Sequence, residues 1–587
     1  MPGGEKPVLL FDGDCGFCRR WIERWRARTG EAVVYEASPE AGEAVRLREP
    51  DGRESAGAEA VFRVLTRARG WAWLHWLYRN APGFSAASEA LYRAVARRRV
   101  LFSRIDRALW GPSAEPPSYR LSAALYVRAL ALVYLVAFVS LGVQVAGLLG
   151  KDGVLPAEGF LQEVGAALGA RRLWLAPTLL WLWKGDLALR ALCWGGAALS
   201  VLLLLGFAPS YLLALLWAFY LSLTTVGQLF LGYQWDSLLL EAGLLAAFVY
   251  PPTLRPREPS RAFLFLTRLL LFRLMFASGA VKLLSGDWTW RELTALSYHY
   301  MTQPLPAWTA WYAHQLPRAA QKASALAMFA VELAVPFLIF APRRPRMAAG
   351  AAIAGLMLIV AATGNYGFFN LLAVALCIPL FDDESLRRLG LKAPRPGPKP
   401  GLLARRAGAG LAAVFGLLGA SAFLGGLGVR PPEPLSALLS SLEGARSFNA
   451  YGLFAVMTTR RPEIVLEGSR DGREWKAYEF PYKPGDPSRR PSFVAPHQPR
   501  LDWQMWFAAL ESCQANPWLL QLQARILQGQ PAVLGLLGKN PFPEGPPRFM
   551  RTPLYEYRFT TPAERAATGA WWARELRGAY CPNVALR

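Results

Sequence analysis

The chain has 587 residues, of which 53% are apolar, and its 65 Lys and Arg against 42 Asp and Glu give a formal net charge of +23. This length excludes a single ordinary domain, and the apolar fraction places the chain among membrane proteins. The positive charge is concentrated between apolar runs, which is typical of membrane topology and contact with the lipid bilayer, so we expect no nucleic-acid partner.

Near the N-terminus, PVLLFDGDCGFC at residues 7–18 predicts a buried strand, a turn and a Cys-x-x-Cys pair at the start of a helix over 19–28. A helix N-terminus stabilises a thiolate, so Cys15 is the predicted attacking thiol and Cys18 the resolving thiol. Asp12 either assists proton transfer to or from Cys18 or is an ordinary turn residue.

The cysteine pair has three possible interpretations: a redox-active dithiol, two inert thiols, or half of a zinc site. A structural zinc site needs four ligands, and His75 is the one histidine of this region, so we expect no metal.

The continuation predicts a small α/β domain that is compatible with a thioredoxin-like fold. Its further elements are strands over 32–35 and 44–47, a turn at Asp51-Gly52 and a helix over 58–68. The motif DGDCGFC resembles the signature of the DCC family of predicted thiol-disulfide oxidoreductases, over about residues 5–112. The resemblance implies exchange with a thiol redox partner, although no proline precedes a strand as in a thioredoxin substrate loop.

Nine apolar runs near the roughly 20 residues of a bilayer crossing follow. They lie at about 124–149, 187–206, 211–231, 237–252, 262–284, 322–341, 347–363, 366–381 and 407–427, of which the fourth and eighth are short. With nine spans, the segments richest in Lys and Arg share one side. This pattern predicts a cytoplasmic N-terminus and an extracytoplasmic region after about residue 430.

The first apolar run, Val8–Phe11, is too short for a cleavable signal peptide. The fused dithiol domain and the lack of a retention signal favour a multi-pass protein of a bacterial inner membrane.

Ionisable residues inside the predicted spans mark an internal polar site, because charges at membrane depth are costly unless paired. Glu241 in the fourth span, with Arg273 and Lys282 in the fifth, is predicted to form one such site, and Glu332 is a further candidate. The alternative is a structural ion-pair network or snorkelling near the span ends.

The stretch RLMFASGAVKLLSGDW at residues 273–288 is similar to a motif of the vitamin K-dependent carboxylase and its membrane relatives. In that motif the lysine matching Lys282 acts as a base toward a quinol. The resemblance implies quinone chemistry as an alternative, and otherwise we expect no cofactor.

An aromatic-rich loop over 285–318 predicts an interfacial helix, because Trp and Tyr rings favour the membrane surface. His299 and His314 lie in this loop without an acidic partner at helical spacing, so they do not indicate a metal.

From Glu463 the pattern changes to alternation around an Asp471-Gly472 turn, which predicts a β-hairpin. A strand over 555–560 and helices over 503–510 and 517–528 complete a β-rich α+β domain. On the extracytoplasmic side, Cys513 and Cys581 either form a disulfide or are buried apolar residues.

The proline-rich segment 481–499 is the predicted client-contact region, because its aromatic and proline side chains suit the apolar surface of another protein. The candidate client-binding residues are Tyr482, Pro496, His497, Pro499, Asp502 and Trp503. His497 near Asp502 also suggests a catalytic dyad, but no Gly-x-Ser-x-Gly nucleophile motif accompanies it.

The run SFNAYGLFAVMTTRRPEIVLEGSRDGREWKAYEFPYK from residue 447, with NPFP at 540–543 and RTPLYEYRFT at 551–560, resembles the lipase maturation factor family. The resemblance covers about residues 120–587. It implies a maturation factor or chaperone that assists the folding and assembly of secreted lipases or other exported proteins.

The whole chain is therefore predicted to be multidomain. The expected parts are a thioredoxin-like α/β domain (1–112), a polytopic all-α transmembrane bundle (113–428) and an extracytoplasmic β-rich α+β domain (429–587). The competing functions are a membrane thiol/quinone oxidoreductase with a site near Lys282, and a lipid-binding or transport protein.

Overall fold

A computed structural model describes residues 6–42, 44–68, 70–250, 258–392, 394 and 401–586. The chain forms two compact units. One comprises Met1–Ser118 with Phe340–Ala348, and the other comprises Tyr119–Ile339 with Ala349–Arg587.

The first unit is built on a four-stranded sheet in the order β2-β1-β3-β4. Its strands are β1 (Val8–Phe11), β2 (Val34–Ala37), β3 (Arg46–Arg48) and β4 (Glu54–Ala56). Strand β1 pairs parallel to β2 and antiparallel to β3, with Leu9 opposite Tyr35 and Leu47 respectively. Because β1 lies inside the sheet, its side chains Leu9, Leu10 and Phe11 are buried.

Five helices complete this unit. They are α1 (Gly16–Thr29), α2 (Gly57–Thr66), α3 (Ala72–Asn80), α4 (Phe84–Arg97) and α5 (Arg99–Trp110). Ile22 of α1 and Val64 of α2 pack with Leu9 and Leu47 in one core. The predicted order of strands and helices is present, with β4 and α3 to α5 in addition.

After residue 118, seven helices among the described residues are long and apolar enough to cross a membrane. They are α6 (Arg120–Gly142), α10 (Asp186–Leu204), α11 (Pro209–Val226), α13 (Arg261–Leu284), the helix Arg318–Phe340 that begins as α17 (Arg318–Phe329), α18 (Arg343–Thr363) and α21 (Leu402–Gly426). In lipid a helix satisfies its backbone hydrogen bonds internally, which is why spans take this form.

Shorter helices occupy the fourth and eighth predicted spans. These are α12 (Gln234–Ala247) and the apolar helix Phe369–Leu380, whose α-helical part is α19 (Phe369–Cys377). Length and composition alone therefore support seven of the nine predicted spans.

The remaining helices before residue 430 connect these spans. They are α7 (Val145–Leu149), α8 (Ala157–Leu168), α9 (Arg172–Leu175), α14 (Trp288–Arg291), α15 (Leu296–Thr302), α16 (Trp308–His314) and α20 (Asp383–Arg387).

The helix that begins as α17 changes its winding near its middle. It continues as a π-helical turn over Ala330–Ala334 and as a 3₁₀ segment over Val335–Phe340. Pro336 has no N–H and its ring would clash with the carbonyl of residue 332, so a regular α-helix cannot pass through this point. Glu332 lies in the widened turn, and such turns are frequent at functional sites.

After residue 430 the chain forms a five-stranded sheet around a long central strand, β8. The strands are β5 (Arg461–Ile464), β6 (Leu466–Ser469), β7 (Lys476–Tyr478), β8 (Phe549–Phe559) and β9 (Trp572–Ala585). Their order is β5-β8-β6-β7, and β9 pairs with β8. The predicted hairpin is present as β6 and β7, but the run before it divides at Val465, whose N–H bonds to Pro553.

Five helices accompany this sheet: α22 (Glu433–Ser441), α23 (Arg500–Leu510), α24 (Pro517–Leu527), α25 (Pro531–Leu534) and α26 (Pro562–Thr568). Buried residues of α23 and α24 belong to the same hydrophobic cluster as those of the membrane helices. The C-terminal part and the helix bundle therefore share one core.

Candidate functional site

The Cys-x-x-Cys pair lies at the N-terminus of α1, as predicted. Cys15 is the N-cap residue, its Sγ accepts a hydrogen bond of 3.2 Å from the Cys18 N–H, and the two cysteines are joined in a disulfide. In the reduced state the same N–H and the helix dipole would stabilise a Cys15 thiolate.

Asp12 fixes the turn before this helix. Its Oδ1 accepts from the N–H groups of Asp14 (3.0 Å) and Cys15 (3.2 Å), and its Oδ2 accepts from Arg99 (2.7 Å). A carboxylate oxygen of Asp12 and both sulfurs lie within 4.8 Å of one another. Asp12 therefore has the turn role, and proton transfer between it and Cys18 would need a bridging water or a closer approach.

An apolar cavity of about 690 Å³ begins at this dithiol. Cys18 and Asp12 line one part of it, and aromatic rings line much of the remainder: Phe17, Trp21, Trp25, Phe62, Phe84, Tyr92, Phe102 and Trp110. Several of these rings come from α4 and α5, which the sequence did not resolve as separate helices, so the cavity could not be predicted.

Within the second unit, Arg273 of α13 pairs with Glu241 of α12 at 2.5 Å, and both are buried. The hydroxyl of Tyr451 donates to Glu241 (2.6 Å), and Arg273 donates to the carbonyl of Asn449 (2.6 Å). Gly419 of α21 leaves space for the guanidinium, since a Cβ there would lie 2.7 Å from it.

Lys282 makes a different pair. Its Nζ lies 2.9 Å from Glu332 and also donates to the carbonyl of Ser278 (2.9 Å). Lys282 is nine residues beyond Arg273, about 13 Å along a helix. The predicted single site of Glu241, Arg273 and Lys282 is therefore corrected to two ion pairs, because each cation pairs with the carboxylate at its own depth.

The second pair lines a cavity of about 470 Å³ between α13, α15, α17 and α18. Its polar lining includes Lys282, Glu332, His299 and Tyr366, and most of the remaining lining is apolar. This cavity is the candidate functional site of the membrane region.

A hydrogen-bond relay defines the state of His299. The Gln303 side-chain amide donates to the carbonyls of Tyr300 (3.2 Å) and Thr363 (2.9 Å), so its oxygen accepts from Tyr366 (2.8 Å). The Tyr366 oxygen, 3.1 Å from His299 Nε2, must then accept from it. Nε2 therefore carries the proton, and Nδ1 is a lone-pair acceptor.

Nδ1 of His299 is buried and has no hydrogen-bond partner among the described residues. Burial, and secondarily the charge of Lys282, lowers the pKa of His299 to about 4, so the ring is neutral near pH 7.

Phe454 closes the cavity from the C-terminal part. It has a positive φ of 55°, which is rare for a bulky residue, and its ring centroid lies 5.0 Å from that of His299. Its carbonyl accepts a hydrogen bond of 3.0 Å from the Trp290 indole. The strained backbone therefore lies directly at the cavity, where strain is often functional.

The predicted client-binding residues are largely used inside the molecule. His497 bonds Ser140 of α6 (2.9 Å), Asp502 accepts from the N–H groups of Tyr482 and Lys483 (2.8 Å each), and Trp503 is 3% exposed. Pro499 is also buried, Tyr482 is half-buried and Pro496 is exposed. While this docking holds, Asp502 and Trp503 are not available to a client, which corrects the prediction for these two.

Burial raises the pKa of Asp502 to about 6, and the two backbone donors oppose that rise. No catalytic role for a His497–Asp502 dyad follows, because Asp502 bonds to backbone N–H groups and His497 to Ser140.

Arg500 makes a buried, bidentate docking contact that sequence reasoning missed. Its guanidinium binds both oxygens of Asp236 at 2.6 and 2.8 Å, and Asp236 also accepts from the Tyr220 hydroxyl (2.5 Å). All three residues are buried. The sequence signal for this contact was Asp236, an acidic residue in an apolar segment. Its partner could not be identified, because Arg500 lies 264 positions away.

A second buried cluster connects the sheet to the loop after α15. Glu463 pairs with Arg461 and Lys483 at 2.8 Å each, and Arg461 donates to the carbonyl of Pro304 (2.9 Å). This cluster holds the chain just beyond His299.

Cys513 and Cys581 form a disulfide across 68 residues. It joins the segment after α23 to β9, and Cys581 is buried.

Comparison with known proteins gives two family matches. The lipase maturation factor transmembrane domain matches residues 121–388, and the lipase maturation factor C-terminal domain matches residues 447–582. No solved structure matches the chain.

Curated relatives align along most of their length. Lipase maturation factor 2 of Gallus gallus is 39% identical over 591 residues, covering 80% of this chain and 82% of that protein. Lipase maturation factor 2 of Homo sapiens is 36% identical, covering 80% and 83%. Lipase maturation factor 1 of Homo sapiens is 34% identical, covering 81% and 91%.

Proposed function

The chain belongs to the lipase maturation factor family, and from this membership we propose that it assists the folding and assembly of secreted lipases or other exported proteins. It is an integral, multi-pass membrane protein. The observation that carries the proposal is that relatives named as lipase maturation factors match both the bundle and the C-terminal part, which share one core.

The proposal includes nine passes, with the N-terminus and the C-terminal domain on opposite sides. Contacts of α12 support this arrangement. At its start, Gln234 exchanges two hydrogen bonds with Gly452 of the C-terminal part (3.1 Å each). Beyond its end, the carbonyl of Tyr250 accepts from Ser210, at the start of α11 (2.8 Å). These contacts support a pass for α12, because its start meets the C-terminal part and the chain beyond its end meets the start of α11.

Contacts around α19 support a second short pass. Before it, Asn365 bonds Ser492 and Val494 of the C-terminal part at 2.8 and 2.7 Å. After it, Asp383 accepts from the N–H of Leu121 at the start of α6 (2.9 Å). The other end of α6 lies at the C-terminal part, where Ser140 contacts His497. The two ends of α19 are therefore near opposite ends of α6, which supports a pass.

With nine passes, the segments rich in Lys and Arg lie on the side from which α6 begins. The positive-inside rule then gives a cytoplasmic N-terminus and an extracytoplasmic C-terminal domain, where a Cys513–Cys581 disulfide persists. We propose a bacterial inner membrane as the location, because a thiol-exchange domain is fused on the cytoplasmic side.

Client contact is proposed at the exposed part of the 481–499 segment. Phe493 is 50% exposed beside Trp308, its neighbour Pro496 is exposed, and Tyr312, next to Trp308, is also 50% exposed. Exposed aromatic rings around a proline suit an apolar surface of a folding protein.

For the N-terminal unit we propose thiol-disulfide exchange of the DCC type. The Cys15 thiolate would attack a partner disulfide and release one partner thiolate. Cys18 would then attack Cys15 in the mixed disulfide, which releases the second thiolate and leaves Cys15–Cys18 oxidised and the partner reduced. The N-cap position of Cys15 and the nearby Asp12 support this sequence.

Trapping tests the exchange. Cys18→Ser removes the resolving thiol, so acid-quenched cells should contain a discrete protein linked to Cys15, which mass spectrometry identifies. The double variant Cys15→Ser, Cys18→Ser is the control. If the two variants give the same adducts, the domain does not exchange thiols.

The maturation function is tested by secretion. Cells that export a lipase and lack this protein should secrete less active enzyme at an unchanged transcript level, and the wild-type chain should restore it. We expect the Cys15→Ser, Cys18→Ser variant to restore it too, because the dithiol lies on the other side of the membrane from the client in the proposed topology. Equal secretion with and without the protein would refute the function.

A further inference from the structure

We propose that the cavity beside Lys282 and Glu332 is a lipid-binding site, and that its ligand is a single-chain neutral lipid whose hydroxyl head donates a hydrogen bond to His299. This site goes beyond client maturation and does not depend on it. The ligand class follows from the size of the cavity, its opening and the chemistry of its polar end.

The size and lining of the cavity suit one acyl chain. Its volume of about 470 Å³ lies within the range of small-molecule sites, about 300–1,000 Å³. The apolar lining comes from membrane helices and includes Leu274, Met275, Met328, Val331 and Leu356. A two-chain phospholipid would need a larger space, so we infer a ligand with one chain.

The cavity opens toward the outside of the helix bundle. Ile359 of α18 lines it and is also 64% exposed, and Ser324 of α17 lines it and is exposed. Both helices belong to the candidate membrane spans, so their exposed sides face acyl chains. A lipid can therefore enter sideways from the bilayer.

The ion pair at the polar end does not favour an anionic head. The Lys282 ammonium has three protons, and the Glu332 carboxylate oxygens and the Ser278 carbonyl provide three acceptors. A carboxylate or phosphate head would have to displace Glu332 or lie beside its negative charge. The ion pair therefore has no net charge and no free hydrogen-bond donor to offer an anionic head.

His299 supplies the polar group that lacks a partner. Its Nε2–H is directed to Tyr366, so Nδ1 presents a lone pair without a partner among the described residues. An acceptor buried in this way costs free energy, which a donor from a ligand would recover. A hydroxyl is the donor that a neutral lipid carries, as in a monoacylglycerol or a long-chain alcohol.

Two features keep this acceptor in place. The relay through Tyr366 and Gln303 fixes the imidazole tautomer, and the Phe454 ring packs against the imidazole. The π-helical turn places Glu332 against Lys282, on the cavity wall. Because these contacts hold the polar groups in fixed positions, we interpret the cavity as a binding site and not as a packing defect.

Photolabelling of the full-length protein tests the proposal. The protein in phosphatidylcholine nanodiscs is irradiated with a monoacylglycerol that carries a diazirine on its acyl chain, and labelled peptides are mapped by mass spectrometry. We expect labels on α13, α17 or α18 lining residues, and competition by unlabelled monooleoylglycerol but not by oleate.

Two variants probe the site independently. Gly355→Leu places a side chain in the cavity, since Gly355 lines it and a Cβ added at this glycine would have no atom within 4 Å. This variant should abolish the labelling. Gly410→Leu on α21, equally open but outside the cavity, should retain it.

His299→Phe keeps the ring but removes the acceptor, and we expect about fivefold weaker competition by monooleoylglycerol, the loss of one ordinary hydrogen bond. Labelling that is unchanged in Gly355→Leu would overturn the site. Competition by oleate equal to that by monooleoylglycerol would overturn the hydroxyl assignment. Neither result bears on lipase secretion, so the maturation function is tested separately.

Discussion

Arg500 shows how much one residue contributes to the C-terminal docking. Its bidentate pair with Asp236 is buried and also bonds Tyr220, so the charges compensate each other far from water. Removing one partner leaves an unpaired buried charge, which is far more costly than losing an exposed pair.

We therefore predict that Arg500→Met lowers the free energy of unfolding by about 3–5 kcal/mol. The measurement is thermal or denaturant unfolding in detergent. Arg551→Met is the control, because Arg551 pairs with Glu467 but is 41% exposed, and it should cost less than about 1 kcal/mol. Equal losses in the two variants would contradict the assigned role of Arg500.

Asp502 gives a pH-dependent prediction. Its pKa in the folded protein is about 6, above the ordinary value of 3.8, so between these values the folded state holds more protons than the unfolded state. The buried carboxylate is therefore destabilising above about pH 6, and this cost disappears as the pH falls below about 4.

Asp502→Asn should be more stable than the wild type at pH 7.5, since the amide oxygen can still accept from Tyr482 and Lys483 without a charge. The difference should shrink by at most about 1.4 kcal/mol per pH unit as the pH falls from about 6 to about 4. Unfolding at several pH values measures it. A difference that is constant with pH would show that Asp502 does not titrate in this way.

At the scale of elements, the sequence predicted those helices and turns that depend on neighbouring residues. The helix predicted over 19–28 is present but begins three residues earlier, at Gly16, because Cys15 is its N-cap. The predicted Asp471-Gly472 turn joins β6 to β7. Both signals depend on residues within a few positions of one another.

Elements that depend on distant partners were missed. β9 contains Gly578 and Pro582, which interrupt a strand pattern, and it exists because β8 provides its hydrogen bonds. The π-helical turn at Glu332 had a visible signal in Pro336, but the partner that uses it, Lys282, lies 50 residues earlier.

The disulfide between Cys513 and Cys581 stabilises the C-terminal fold by linking the segment after α23 to β9. It closes 68 residues of chain, and the loop-entropy account gives roughly 4 kcal/mol for a loop of this length. Cys513→Ser with Cys581→Ser should lose this amount in unfolding experiments.

The control is Cys193→Ser, which removes a buried free thiol and should leave the sheet unaffected. In addition, alkylation of intact cells before and after reduction should modify Cys513 and Cys581 only after reduction. Free thiols at these two positions in cells would contradict an extracytoplasmic C-terminal domain.

At the scale of the whole molecule, the proposed topology places client contact and thiol exchange on opposite sides of the membrane. The proposed client surface at Phe493 and Pro496 is in the C-terminal part, which contacts the end of α6 and the start of α12. The dithiol precedes the first pass. We therefore expect maturation and thiol exchange to be separable by mutation.

The most direct measurement is site-specific photocrosslinking to a newly synthesised client. A photoreactive amino acid replaces Phe493 in one chain and Trp73, which is 56% exposed in the N-terminal unit, in another. During pulse labelling of an exported lipase, position 493 should crosslink to the lipase and position 73 should not. Crosslinks from position 73, or none from position 493 while secretion still depends on the protein, would contradict the proposed client surface and its side of the membrane.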